Sequence, residues 1–241
     1  MAFCSSYSIS SSSLMPEIFS ATALRREWDP FQYSSLFFFR WKRLPFPARP
    51  SGRKPVAITF DDGPFPGVTE QVLDAFKARS LKASFFMIGN RVQSATDLVR
   101  RAFDEGHDIC NHSYSHTRLA WLEDGVVTSE LLRTQDSVER AIGICPRYFR
   151  PPFGSFRRRQ EPLALACGLH PVLWHVNSKD WKGIAPDGAA LIPRVSKKIE
   201  PGSIVVMHDC QPPTGRVMGA MLDRLMDDGF EPVALSELLP F

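Results

Sequence analysis

Long apolar runs are missing from this chain. No segment approaches the roughly 18 consecutive apolar residues that a membrane-crossing helix needs, so a membrane span is not expected. "SSLFFFRWKR" offers only Leu36 to Phe39. Cysteine is scarce and oddly numbered: Cys4, Cys110, Cys145, Cys167 and Cys210 include no CxxC pair. That argues against a disulfide framework and against a cysteine-based zinc knuckle, and leaves free thiols as the expectation. There is no GxGxxG and no internal repeat. Acidic residues are nearly absent from the first 26 positions, which hold Glu17 alone.

What remains is the composition of a soluble globular domain, with 44% hydrophobic and 23% charged residues. The formal net charge of +3 conceals an asymmetry. Residues 1–55 carry a net +5, and residues 56–241 a net −2. The globular part therefore has no nucleic-acid footprint. The serine-rich start, "MAFCSSYSISSSSLMPEIFSATALRR", lacks the apolar core of a secretory signal and has the composition of an organelle transit peptide or a flexible leader. "LPFPARPSGRKP" reads as a linker because its prolines preclude a regular helix or central strand. The expected division is an extension over residues 1–52 and one domain over 53–241. The extension is expected to add little to the fold.

From Val56 onward strands and helices alternate. "VAITF", "ASFFMIG", "HDICNHS", "RYFRPPF", "HPVLWHV", "SIVVMHD" and "EPVALSEL" read as strands. Between them lie helical segments such as "VTEQVLDAFKARS", with apolar residues at Val68, Val72, Leu73 and Phe76. Ser94 is the expected cap of "SATDLVRRAFDEG", and Gly106 and Gly143 are expected stops. About seven strands separated by six helices imply parallel strands with right-handed crossovers. An open doubly wound sheet and a closed barrel both satisfy the pattern, and in both the function gathers at the C-terminal strand ends.

The polar clusters fall at those ends. Asp61 and Asp62 close the first strand in "TFDDGP". His112 and His116 follow the third in "NHSYSH". Arg150 precedes "PPFG", Asp180 and Trp181 follow the fifth strand, and His208 and Asp209 the sixth. Singly each has a bland reading: Asp-Gly-Pro makes a turn, histidines four apart arise by composition, and a strand-end histidine can be a satisfied core residue. Together they converge on one rim. Two adjacent carboxylates cost solvation and repel, and a divalent cation would offset that cost. One aspartate with His112 and His116 makes a two-nitrogen, one-oxygen set suited to catalytic zinc, leaving the second aspartate to act on water.

In order and spacing, "TFDDGP", "HSYSH", "RPPFG", "KDW" and "VMH" resemble the polysaccharide deacetylases of the NodB-homology type, carbohydrate esterase family 4, over residues 55–239. The resemblance implies a distorted (β/α) barrel, TIM-barrel-like, of seven or eight units. It implies Asp61 as general base, Asp62, His112 and His116 as ligands of a divalent metal, most readily Zn2+, and Arg150 as the partner of the base. It further implies an oxyanion donor in the Phe153 N–H, tuning of the catalytic histidine by Asp180, an acetyl-pocket wall in Trp181, and His208 as general acid. Asn177 stands where the family often has an acid, Val206 where leucine is usual, and Phe153 where tyrosine is frequent. No catalytic group is lost. The implied activity is metal-dependent removal of acetyl groups from N-acetylated polysaccharides or oligosaccharides, chitin- or peptidoglycan-like. Amide hydrolysis of a small non-carbohydrate substrate, O-acetyl ester hydrolysis, and sugar binding without catalysis are the alternatives. Cys110 and Cys210 neighbour site histidines, yet the aspartate–histidine–histidine set is complete without thiolate.

Overall fold

A computed structural model describes residues 52–183 and 187–239. The expected extension therefore lies outside the described residues, save Gly52. Strand β1 (Lys54–Gly63) leads to helix α1 (Thr69–Lys77), β2 (Ser84–Met87), α2 (Gly89–Ser94), α3 (Thr96–Asp104) and β3 (Asp108–Asn111). Then come α4 (Asp124–Ile142), β4 (Tyr148–Phe149), α5 (Glu161–Ala166), β5 (His170–Pro171) and β6 (Val176–Asn177). Next are α6 (Leu191–Ser196), β7 (Ile204–His208), α7 (Pro212–Asp227), β8 (Phe230–Val233) and α8 (Leu235–Leu238).

Every strand pair is parallel, in the order β5-β4-β3-β2-β1-β7-β6, with β8 also against β1. Strand β1 is shared lengthwise: Lys54–Ala57 pair with β8, and Ala57–Asp61 with β7. No pairing joins β5 to β6 among the described residues. The result is a distorted (β/α) barrel with an open seam.

Alternation along β1 separates two cores. Val56, Ile58 and Phe60 pack outward against Val72, Leu73 and Phe76 of α1 and Met218, Met221, Leu222 and Leu225 of α7. Each such buried side chain contributes roughly 1.5–3 kcal/mol of transfer free energy. Ala57 faces inward with Phe86, Cys110, Tyr148 and Ile204. Side chains two apart share a face. Thr59 and Asp61 therefore follow Ala57 inward, and Val206 and His208 follow Ile204.

Several expectations need correction. "HPVLWHV" is two short strands, β5 and β6, which makes eight strands; the carbonyls of Val172 and Leu173, between them, accept hydrogen bonds from Arg150 rather than from a strand. "EPVALSEL" is strand only to Val233, and α8 follows. Ser94 does not cap α3: it ends α2, its hydroxyl donates to the Arg91 carbonyl, and Ala95 holds the cap position. Asp61 and Asp62 belong to β1 itself. Cys110, Cys167 and Cys210 are free and only Cys110 is buried, but Cys145 is disulfide-bonded, against the expectation of free thiols throughout.

Candidate active site

Asp61 and His208 lie side by side, because the β1–β7 register pairs their Cα atoms. Strict alternation would turn Asp62 outward. A register shift between Asp61 and Gly63 interrupts the ladder, and Asp62 takes a positive φ of 73°. Both carboxylates thereby reach the rim. Gly63 is required by close approach: a Cβ there would stand 2.3 Å from Asp209 Oδ2.

The histidine loop is held from two sides. Asn111 Oδ1 accepts from the Ser113 N–H at 2.9 Å, and Ser113 Oγ from the His116 N–H at 3.1 Å. The buried Glu130 of α4 accepts from the N–H groups of Tyr114 and Ser115 at 3.0 and 2.8 Å and from the Ser115 hydroxyl at 2.9 Å. Ser113 and His116 carry φ of 62° and 59°, conformations that such anchoring maintains. His112 Nδ1 donates to the Arg150 carbonyl at 2.7 Å, leaving Nε2 as the bare nitrogen toward the site.

Candidate ligand atoms of Asp62, His112 and His116 all lie within 4.8 Å of one another. Asp62 Oδ1 stands 3.0 Å from His116 Nε2 and 3.5 Å from His112 Nε2. That oxygen is buried without a hydrogen-bond partner. A buried carboxylate oxygen facing an imidazole lone pair is left unsatisfied by protein alone, and the set fits a divalent cation. Cys210 Sγ lies 3.7 Å from Asp62 Oδ2, with burial pushing its thiol up to about 12.

Asp61 is 3% exposed and Arg150 fully buried. Arg150 Nη1 donates to Asp61 Oδ1 at 2.6 Å and to Thr59 Oγ1 at 2.8 Å, and Nε to the Val172 carbonyl at 3.1 Å. Its guanidinium lies 3.9 Å over the Phe86 ring. Removing one member of a buried, hydrogen-bonded ion pair leaves the other uncompensated, which costs about 3–5 kcal/mol. Arg150→Met is expected to lose that much stability in urea unfolding. Adding Asp61→Asn to it should recover part of the loss, and strict additivity of the two would show that they do not form one unit.

His208 Nδ1 donates to Asp180 Oδ1 at 2.8 Å, and its backbone N–H to Asp180 Oδ2 at 2.7 Å. The Thr214 hydroxyl adds a third bond to Asp180 at 2.7 Å. Burial disfavours the imidazolium, but the hydrogen bond and charge of Asp180 outweigh it and raise His208 to about 9. Behind it Asp209 is wholly buried. Burial pushes its carboxyl up to about 7 against the opposing bond from the Thr69 hydroxyl.

All ten residues singled out in the sequence gather here. Asp61, Asp62, His112, His116, Phe153, Trp181, Val206 and His208 line one cleft of about 340 Å³, and Arg150 and Asp180 lie directly behind. Trp174, Asn177 and Gln211 complete the lining. Trp181 meets His208 edge-on with centroids 4.8 Å apart, and Phe153 meets His116 likewise at 4.8 Å. Sequence reading missed Trp174, Glu130, Asn111 and Thr59 as contributors. Glu130 did leave a signal, a charge on the buried stripe of Val127, Leu131, Thr134 and Val138.

A half-open parallel barrel whose rim carries a carboxylate–arginine unit and a histidine–carboxylate unit, side by side, belongs with hydrolases that activate water. Residues 48–172 match the family described as polysaccharide deacetylase. The peptidoglycan-N-acetylglucosamine deacetylase of Bacillus cereus is 31% identical over 204 residues, 84% of this chain and 70% of that one. The chitooligosaccharide deacetylase of Bradyrhizobium is 32% identical over 203 residues, 78% of this chain and 92% of that one. The structure of the peptidoglycan deacetylase PdaC from Bacillus subtilis matches with a TM-score of 0.73 at 31% identity, covering 79% of this chain and 92% of that one. The chain belongs to the polysaccharide deacetylase family, and is a hydrolase of the class acting on carbon–nitrogen bonds other than peptide bonds.

Proposed function

We propose that this chain removes acetyl groups from N-acetylated sugars of a chitin- or peptidoglycan-like polysaccharide, through the domain spanning residues 53–241. The observation that carries the reading is the register pairing of Asp61 with His208, each locked by its own charged partner, beside the Asp62–His112–His116 set. These three residues would hold a divalent cation, zinc by its preference for such donors, which when bound supplies Lewis acidity to water and to the acetyl carbonyl.

The chain's own groups do the proton work. Asp61 keeps Oδ2 free of Arg150 and accepts the proton of the attacking water. The Phe153 N–H donates to the oxygen that gains charge at the tetrahedral carbon, a contribution of about 3 kcal/mol for one such donor. His208, held at Nδ1 by Asp180, gives a proton from Nε2 to the departing amine. Water and the amide become acetate and a free amino sugar. Val206, Trp174 and Trp181 enclose the acetyl methyl.

The test is acetate release from chitin oligomers and from N-acetylated peptidoglycan fragments, with and without a chelator. Release abolished by chelator and restored by zinc is the expected result. Release only from small amides or O-acetyl esters, or from nothing, would replace the reading. Elemental analysis should find one divalent ion per chain, retained when Cys110 or Cys210 is changed to serine. Asp62→Asn should lower that content, and an unchanged content would remove Asp62 from the ligand set.

A further inference from the structure

Beyond the catalytic cleft the rim continues as a stacked row. His116 meets Phe153 at 4.8 Å, the Arg118 guanidinium lies 4.4 Å over the Phe153 ring, and the same guanidinium lies 5.2 Å from the Trp121 ring. Phe153 and Trp121 are exposed, at 56% and 71%. The Arg118 guanidinium forms no hydrogen bond or ion pair among the described residues, although two aromatic rings lie within cation–π reach of it. A guanidinium stacked in this way keeps its N–H edge free for a planar, two-oxygen acceptor. The row is fixed from behind: Gln160 Nε2 donates to the carbonyl of Leu119 at 2.9 Å and of Leu122 at 3.4 Å. Arg157 and Arg158 carry no ion pair among the described residues, and Asp124 is drawn to Arg159 at 3.5 Å.

We infer that the Phe153–Arg118–Trp121 row is a secondary subsite for a sugar unit bearing a carboxylate, next along the glycan from the unit being deacetylated. Aromatic rings offer flat apolar faces to sugar C–H groups, and Arg118 takes the carboxylate. The inference rests on the deacetylase reading for its place in the reaction, but it concerns binding and is tested by binding.

The probes are three oligosaccharides of equal length: N-acetylglucosamine throughout, N-acetylglucosamine alternating with its 3-O-lactyl ether, and N-acetylglucosamine alternating with a uronic acid. Calorimetric titration of the full chain should give tighter binding of a carboxylated oligomer by about tenfold or more, the worth of a charge-assisted pair. The arm that shows it identifies the sugar. Arg118→Gln should abolish that advantage and leave neutral-oligomer binding within about twofold. Arg118→Lys should keep part of the advantage, since charge remains and the fork is lost. Trp121→Ala should weaken all three. Equal binding of neutral and carboxylated oligomers, no binding of any, or a preference that survives Arg118→Gln overturns the subsite. A preference that depends on Arg118 without acetate release from any oligomer sustains the subsite and overturns the deacetylase reading alone.

Discussion

Asp61→Asn is expected to lower deacetylation by about 10²–10⁴ while leaving metal content unchanged. The amide fills the same space between Arg150 and the β1–β7 ladder, but cannot take a proton from water. The distances argue for this division of labour. Asp61 Oδ1 is committed to Arg150 at 2.6 Å, and Oδ2 stands 3.9 Å from His112 Nε2. Asp62 Oδ1 lies closer to both imidazoles, at 3.0 and 3.5 Å. Because the substitution also leaves Arg150 without its counter-charge, circular dichroism must accompany the kinetics, so that loss of turnover is read on folded protein. Turnover that survives in folded Asp61→Asn protein would remove Asp61 from the base role. Metal lost along with turnover would make Asp61 a ligand.

His208→Ala should cost an amide substrate a loss in the same range, and an acetyl ester much less, because a departing alcohol needs protonation less than an amine. Equal defects on the two substrates would leave His208 a structural part. The pH dependence has a definite sign. His208 is raised to about 9 by Asp180 against the pull of burial, so it stays protonated at neutral pH and competent as an acid. Amide turnover should fall as pH rises through about 9, and the ester reaction should lack that limb. Asp180→Asn removes the hydrogen bond and charge that raise His208 most, leaving only the charges of Asp61 and Asp62 against burial. The basic limb should then move toward, or below, the ordinary histidine value of about 6.5. A limb that stays near 9 in this variant would assign it to another group.

The residues proposed as ligands and proton-transfer groups could be placed on one rim because strand ends collect them, and period-2 alternation set which residues face inward. The framework that aims them was not legible. Asn111 is a polar residue inside a strand, where sequence alone treats it as accident, and the charge of Glu130 on a buried helical stripe marks it as unusual without naming its partners. Only the fold brings Glu130 to the N–H groups of Tyr114 and Ser115, 16 and 15 residues earlier in the chain. "HPVLWHV" read as one strand because most of its residues are apolar, β-branched or aromatic; its middle is instead diverted to Arg150, a contact 22 residues away that no local pattern encodes. "RYFRPPF" shrank to the two residues Tyr148–Phe149, since the prolines that follow have no N–H for the ladder.

The seam between β5 and β6 gives Arg150 a second history. Its donors reach Thr59 and Asp61 on β1 and the carbonyls of Val172 and Leu173 between β5 and β6, so one side chain ties the connection at the seam to the central strand. In a lineage that abandoned catalysis, selection on Asp61, His208 and the metal ligands would relax at once. Arg150 would remain under constraint from folding, as would Thr59. Descendants of this chain that keep the arginine while losing the base are therefore the expected form of decay, and the reverse order, arginine first, should be rare.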